Sequence, residues 1–113
     1  MTRTSRFLAR TGIAAVAVTI PLVFGPPVQA AEGDQWDRLA HCESSGNWRA
    51  NTGNGYYGGL QFSHRTWTAF GGGAYASTAN NATRLQQIAI AEKVRHAQGW
   101  KAWPACSRRA GVR

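Results

Sequence analysis

Cys42 and Cys106 are the only two cysteines in the chain, and they put one strong constraint on any fold it adopts. An export signal precedes them. Arg3, Arg6 and Arg10 form a positively charged leader, and residues 12–24 are apolar and uncharged. Val28-Gln29-Ala30 then presents small residues where a signal peptidase cuts. The apolar run is short for a membrane span and is broken up by Pro21, Pro26 and Pro27, so no stable membrane insertion is expected after cleavage. Cleavage after Ala30 leaves residues 31–113 in an oxidising compartment, where the two thiols pair. A bridge closing about 64 residues constrains the unfolded chain by about 4 kcal/mol on the chain-entropy model. That is a large contribution for one small domain with a thin core. The first helix and the C-terminal region must therefore meet.

Ten of the thirteen Lys and Arg and all five acidic residues follow residue 30, for a net charge of +5. In an exported protein such a charge favours cell-wall polymers or membrane surfaces. Nucleic acid is not an expected partner, because the basic residues are scattered rather than gathered in a stripe. A membrane-active peptide is also disfavoured, since the longest helical pattern lacks a basic face. No metal site is expected: two distant Cys and the separated His41, His64 and His96 match no ligand spacing.

Residues 31–34 read as a short polar lead, with Asp34 as the N-cap of a first helix carrying Trp36, Leu39 and Ala40 on one face. Gly46 is its natural stop. Residues 47–62 read as loop and short hairpin, with Asn54-Gly55 as the tight-turn signal and Tyr56-Tyr57 and Leu60-Phe62 as brief extended pieces. Ser63 caps a second short helix that the run Gly71-Gly72-Gly73 ends. Thr83 and Gln86 form a capping-box pattern opening the clearest helix, over 83–98, whose expected apolar face is Leu85, Ile88, Ala89 and Val94. This helix is expected to be the longest and central one. Residues 107–113 read as a basic tail. With few aliphatic residues, the tryptophans must supply much of the core.

Glu43 is the candidate with chemical content. At the C-terminal end of a helix a carboxylate meets the negative end of the macrodipole, and neighbouring Trp and Tyr desolvate it. Both effects favour the protonated form, which is what a general acid for glycosidic cleavage requires. Glu32, Asp34, Asp37 and Glu92 offer no convincing second carboxylate of the usual pair. A single-acid route is therefore favoured, in which the sugar's own hydroxyl attacks. Asn47, Asn51, Asn54, Gln61 and Thr66 supply neutral donors and acceptors suited to sugar hydroxyls and amides, although turns account for the three Asn equally well.

Trp36-Asp37-Arg38-Leu39-Ala40, Cys42-Glu43-Ser44, Gly46-Asn47-Trp48, the stretch from Asn51 through Gly59, Gln61-Phe62 and Trp103-Pro104-x-Cys106 together resemble the catalytic domain of resuscitation-promoting factors. The resemblance covers about 35–106. It implies an α+β, mostly helical, compact lysozyme-like domain with a small hairpin or Gly-rich loop and one disulfide. It further implies a secreted, cell-wall-associated enzyme, without cofactor and working as a monomer. Such an enzyme cleaves the β-1,4 bond between N-acetylmuramic acid and N-acetylglucosamine in peptidoglycan and promotes resuscitation of dormant bacteria. Carried over by position, Glu43 is the catalytic acid and Cys42 pairs with Cys106. Asn51, Tyr56, Gln61, Thr66 and Trp67 line the glycan groove. A secreted peptidoglycan endopeptidase is the implied partner beside the glycan strands. The competing expectation is a non-catalytic glycan-binding or signalling protein.

Overall fold

The computed structural model describes residues 28–112. The expected signal segment lies outside the described residues apart from its last three, which open the first helix.

Helix α1 runs Val28–Ser44, so Asp34 is not its N-cap and residues 31–34 are not a separate lead. Ala30, Ala31, Glu32 and Gln35 sustain a helix, and the single Gly33 weakens it without breaking it. At 17 residues α1 is also longer than the helix expected to be longest. Trp36, Leu39 and Ala40 are fully buried, as their spacing requires. The chain then turns through two left-handed residues, Ser45 (φ 57°) and Gly46 (φ 79°), and the Gly46 N–H reaches back to the Ala40 carbonyl at 3.1 Å.

Strands β1 (Tyr56–Tyr57) and β2 (Phe62–Ser63) pair antiparallel, Tyr56 opposite Ser63 and Tyr57 opposite Phe62. The hairpin therefore closes at 58–61. Asn54-Gly55 instead bends the chain into β1, where the Asn54 Oδ1 accepts the Tyr56 N–H at 3.0 Å. Gly58 suits this turn: its φ of 81° favours glycine, and a Cβ there would lie 2.4 Å from the Gln87 Oε1 and push that amide off the Gly59 N–H it accepts. Ser44 Oγ donates to the Gly59 carbonyl at 2.9 Å, tying the end of α1 to this turn.

Helix α2 (His64–Ala69) is capped by Ser63, whose Oγ accepts the Thr66 N–H at 3.1 Å, and the chain leaves it through Gly71. Helix α3 (Arg84–Gln98) opens on the expected Thr83–Gln86 capping box and ends at Gly99. Its buried face differs from expectation: Leu85 is 56% exposed, whereas Gln87, Ile90, Ala91 and Val94 are inside with Ile88. At 3.6 residues per turn Leu85 lies nearly opposite Gln87 and Val94, and a buried polar residue had disguised the core face. The expected basic tail opens as helix over 107–109. In α4 (Pro104–Arg109) Pro104 occupies the first turn, where its missing N–H is harmless. Beyond it Gly111 (φ 70°) lets the Val112 N–H bond the Ser107 carbonyl at 3.0 Å, and Val112 is buried. This is a Schellman ending with its hydrophobic contact.

The core is aromatic. Trp36 sits 4.9 Å from Trp100 and 5.3 Å from Trp103, and Phe62 sits 5.3 Å from Trp67, measured between ring centres. The whole is the mostly helical α+β arrangement that the lysozyme-like resemblance implied, with one small hairpin and one disulfide.

Candidate active site

Cys42 and Cys106 are bridged, their Cα atoms 5.6 Å apart. Glu43 follows Cys42 in the last turn of α1, and Pro104 stands two residues before Cys106. The bridge thus brings the carboxyl against the start of α4. A cleft of about 210 Å³ opens there, lined by Glu43, Tyr56, Gln61, Ala102, Trp103 and Pro104. A second cleft of about 110 Å³ shares Tyr56, Gln61, Ala102 and Trp103 and adds Ser63, Thr66 and Gln98 among others. The two form one groove with the carboxyl near one end and neutral polar groups along the other.

Each wall is held by identifiable bonds. The Trp103 indole N–H donates to the Leu60 carbonyl at 2.9 Å, fixing the floor to the hairpin turn. Gln61 is held in a left-handed conformation (φ 56°); its Nε2 donates to the Gly58 carbonyl at 3.1 Å and its Oε1 accepts from Asn54 Nδ2 at 3.3 Å. Beneath the turn, the fully buried Gln87 accepts the Gly59 N–H at 2.9 Å. Its Nε2 donates to the carbonyls of Trp48 at 2.8 Å and Ala82 at 3.0 Å.

Burial pushes the Glu43 carboxyl above its ordinary pKa. Its place at the C-terminal end of α1 acts in the same direction, because the unpaired helix carbonyls repel a carboxylate. The other two acidic side chains beyond residue 34 are engaged elsewhere. Asp37 takes Arg84 in a two-pronged ion pair at 2.8 and 2.9 Å. Glu92 accepts the Trp36 indole N–H at 2.9 Å and pairs with Arg95 at 2.7 Å. Glu43 alone has no ion-pair partner among the described residues. An isolated carboxyl of raised pKa in a groove of aromatic faces and amides can donate a proton to a bound sugar chain.

Of the residues expected in the groove, Glu43, Tyr56, Gln61 and Thr66 come together. Trp67 does not: it has no exposed surface, packs on Phe62 and donates its indole N–H to the Ala76 carbonyl at 2.7 Å. Its ring is core and cannot offer a face to a sugar. Asn51 is exposed and lines neither cleft. Trp103 and Pro104 were missed as site residues. The signal for them was the cysteine pair itself, since whatever lies just before Cys106 must lie beside Glu43. Ser63 and Gln98, one a helix cap and the other the last residue of α3, carried no comparable signal.

A family profile described as a transglycosylase-like domain matches residues 30–106, a span that holds every residue of the groove. Resuscitation-promoting factor RpfC of Mycobacterium tuberculosis is 46% identical over 113 residues, covering 99% of this chain and 79% of the relative. The chain belongs to the resuscitation-promoting factor family. Resuscitation-promoting factor Rpf1 of Corynebacterium glutamicum is 50% identical over 112 residues, 98% of this chain and 58% of that protein. Rpf2 of the same organism is 60% identical over 83 residues, 74% of this chain and 22% of that protein. The chain thus spans between about a fifth and four-fifths of the length of these resuscitation-promoting factors. Among its described residues no helix is long and apolar enough to cross a membrane, and no group of three or more His, Cys, Asp and Glu is placed to hold a metal ion.

Proposed function

We propose that this chain is an exported peptidoglycan-cleaving glycosidase that acts on the β-1,4 bond between N-acetylmuramic acid and N-acetylglucosamine, with Glu43 as the proton donor. The observation that carries this reading is the placement of Glu43. It is a half-buried, unpaired carboxyl of raised pKa at the head of a groove lined by Tyr56, Gln61, Thr66 and Trp103. The protonated carboxyl delivers its proton to the leaving glucosamine oxygen as the bond to the muramic C1 breaks. Asp37 and Glu92 are committed to Arg84 and Arg95, and neither lines the groove. Among the described side chains no second carboxylate is therefore at hand to hold a nucleophilic water or to form a covalent glycosyl intermediate. The muramic C6 hydroxyl is tethered to the reacting sugar, which gives it a large effective concentration. It attacks C1 and passes its proton to the Glu43 carboxylate. The product is a 1,6-anhydromuramic end, and the acid is restored for the next turnover.

The relatives' name supports a role in returning dormant bacteria to growth through wall remodelling. Cell-wall association, action as a monomer and cooperation with a secreted peptidoglycan endopeptidase belong to the same reading.

Digestion of purified wall in heavy-oxygen water, followed by mass spectrometry of the released fragments, tests the chemistry. Unlabelled anhydro ends are expected, and Glu43→Gln should lower the rate by roughly two to four orders of magnitude while glycan binding persists. Predominantly labelled reducing ends would show that water is the acceptor. Full activity in the Gln variant would show that Glu43 is not the proton donor, and absence of cleavage by the unsubstituted chain would favour a glycan-binding protein instead.

A further inference from the structure

Past Pro104, the groove does not end. A further cleft of about 230 Å³ is lined by Trp100, Lys101, Pro104, Ser107 and Arg108. It shares Pro104 with the cleft that holds Glu43, so a chain lying against the acid continues into it. Its chemistry differs from that of the opposite end. There the polar lining groups are the uncharged Tyr56, Gln61, Ser63, Thr66 and Gln98, whereas here two cations face the space with no acid among them.

Lys101 and Arg108 are both exposed, and neither has an ion-pair partner among the described residues. Arg84 and Arg95, by contrast, are held by Asp37 and Glu92. Trp100 is a rigid back wall, packed 4.9 Å from Trp36 and covered by the Arg95 guanidinium at 5.4 Å. Its indole N–H makes no hydrogen bond among the described residues, which leaves a donor for a ligand. The cations sit on firm supports. Lys101 lies in the single 3-10 turn Trp100–Ala102, and Arg108 lies in α4, which the disulfide anchors.

We propose, resting on the peptidoglycan reading of the groove, that Trp100, Lys101 and Arg108 form a subsite for the carboxylate-bearing peptide branch of the glycan strand. In that polymer the glucosamine is neutral, and free carboxylates hang from the muramic sugar through its lactyl group and peptide. Two unpaired cations next to the proton donor suit that branch and no feature of a bare amino-sugar chain. The subsite sets the direction in which the strand lies, with the peptide-bearing sugar on the Pro104 side of Glu43 and neutral sugar surfaces on the Thr66 side. It also makes the groove prefer peptide-bearing wall over chitin-like chains.

The test uses the full chain carrying Glu43→Gln, so that bound glycan is not consumed. Affinity is measured for a peptide-bearing muramyl fragment and for the same fragment with its carboxylates amidated. The free-acid fragment should bind about tenfold more tightly, the scale of two exposed ion pairs, and the preference should shrink as salt rises. Adding K101Q and R108Q together should bring the ratio close to one. Equal affinities, or a preference that survives K101Q/R108Q, overturn the subsite. So does equally strong binding of the acidic peptide without sugar, which would mean unspecific attraction. If the preference and its loss are seen but the unsubstituted chain cuts no bond in either fragment, the cleavage reading falls and the subsite stands.

Discussion

Replacing Gln87 with leucine should damage this domain more than any other single side-chain change of similar volume. Gln87 is fully buried, and its three hydrogen bonds gather three separate pieces of chain: the Gly59 N–H in the hairpin turn, the Trp48 carbonyl in the preceding loop and the Ala82 carbonyl before α3. Leucine fills nearly the same space, so little cavity is made. It leaves one backbone donor and two acceptors without the side chain that satisfied them. At about 1–2 kcal/mol for each buried group left unpaired, the variant should lose roughly 3–6 kcal/mol. That is a large part of the 5–15 kcal/mol that stabilises an ordinary domain, to order of magnitude. Urea unfolding followed by tryptophan fluorescence, with the disulfide intact, measures the loss. The same variant should lose glycan affinity at urea concentrations where it is still folded, because Gln61 depends on the turn that Gln87 supports. A loss below about 1 kcal/mol would mean that water or shifted backbone satisfies these groups, and the account of a polar clamp under the groove would be wrong.

Because burial raises the folded-state pKa of Glu43, the native state holds that proton more tightly than the unfolded chain and stability falls as pH rises from the unfolded to the folded pKa. Glu43→Gln should therefore match the parent's stability below that window and exceed it above, and parallel pH profiles in thermal melts of the two proteins would contradict the shift. Reducing the Cys42–Cys106 bridge should lower stability by about 4 kcal/mol, read by denaturant titration with and without reductant; a change under about 1 kcal/mol would mean the ends are held without it. At the left-handed Ser45, glycine should be neutral or slightly stabilising and valine should destabilise by about 1–2 kcal/mol in urea melts. Equal stabilities of these two variants would show that the turn after Glu43 relaxes to accept either residue.

Much of this protein was legible residue by residue because the signals were local. Thr83 and Gln86 announced the start of α3, Ser63 that of α2, and the spacing of Trp36, Leu39 and Ala40 the inner face of α1. Two lone cysteines behind an expected export signal sufficed for the bridge, and Glu43 stood out because a carboxylate at a helix C-terminus is unfavourable unless something uses it. What the sequence left open were choices between equivalent local signals, and long-range packing made them. Asn54-Gly55 and Gly58-Gly59 were both able to turn a hairpin; the approach of Gln87 to Gly58 selected the second. Trp67 was expected to line the groove; Phe62 and Ala76 enclose its ring, while the bridge to Cys106 sets the unexpected Trp103 beside Glu43. Gln87 carried no sequence signal of burial, since amides usually prefer water, and it lies inside because three backbone groups from distant parts of the chain meet there and need partners.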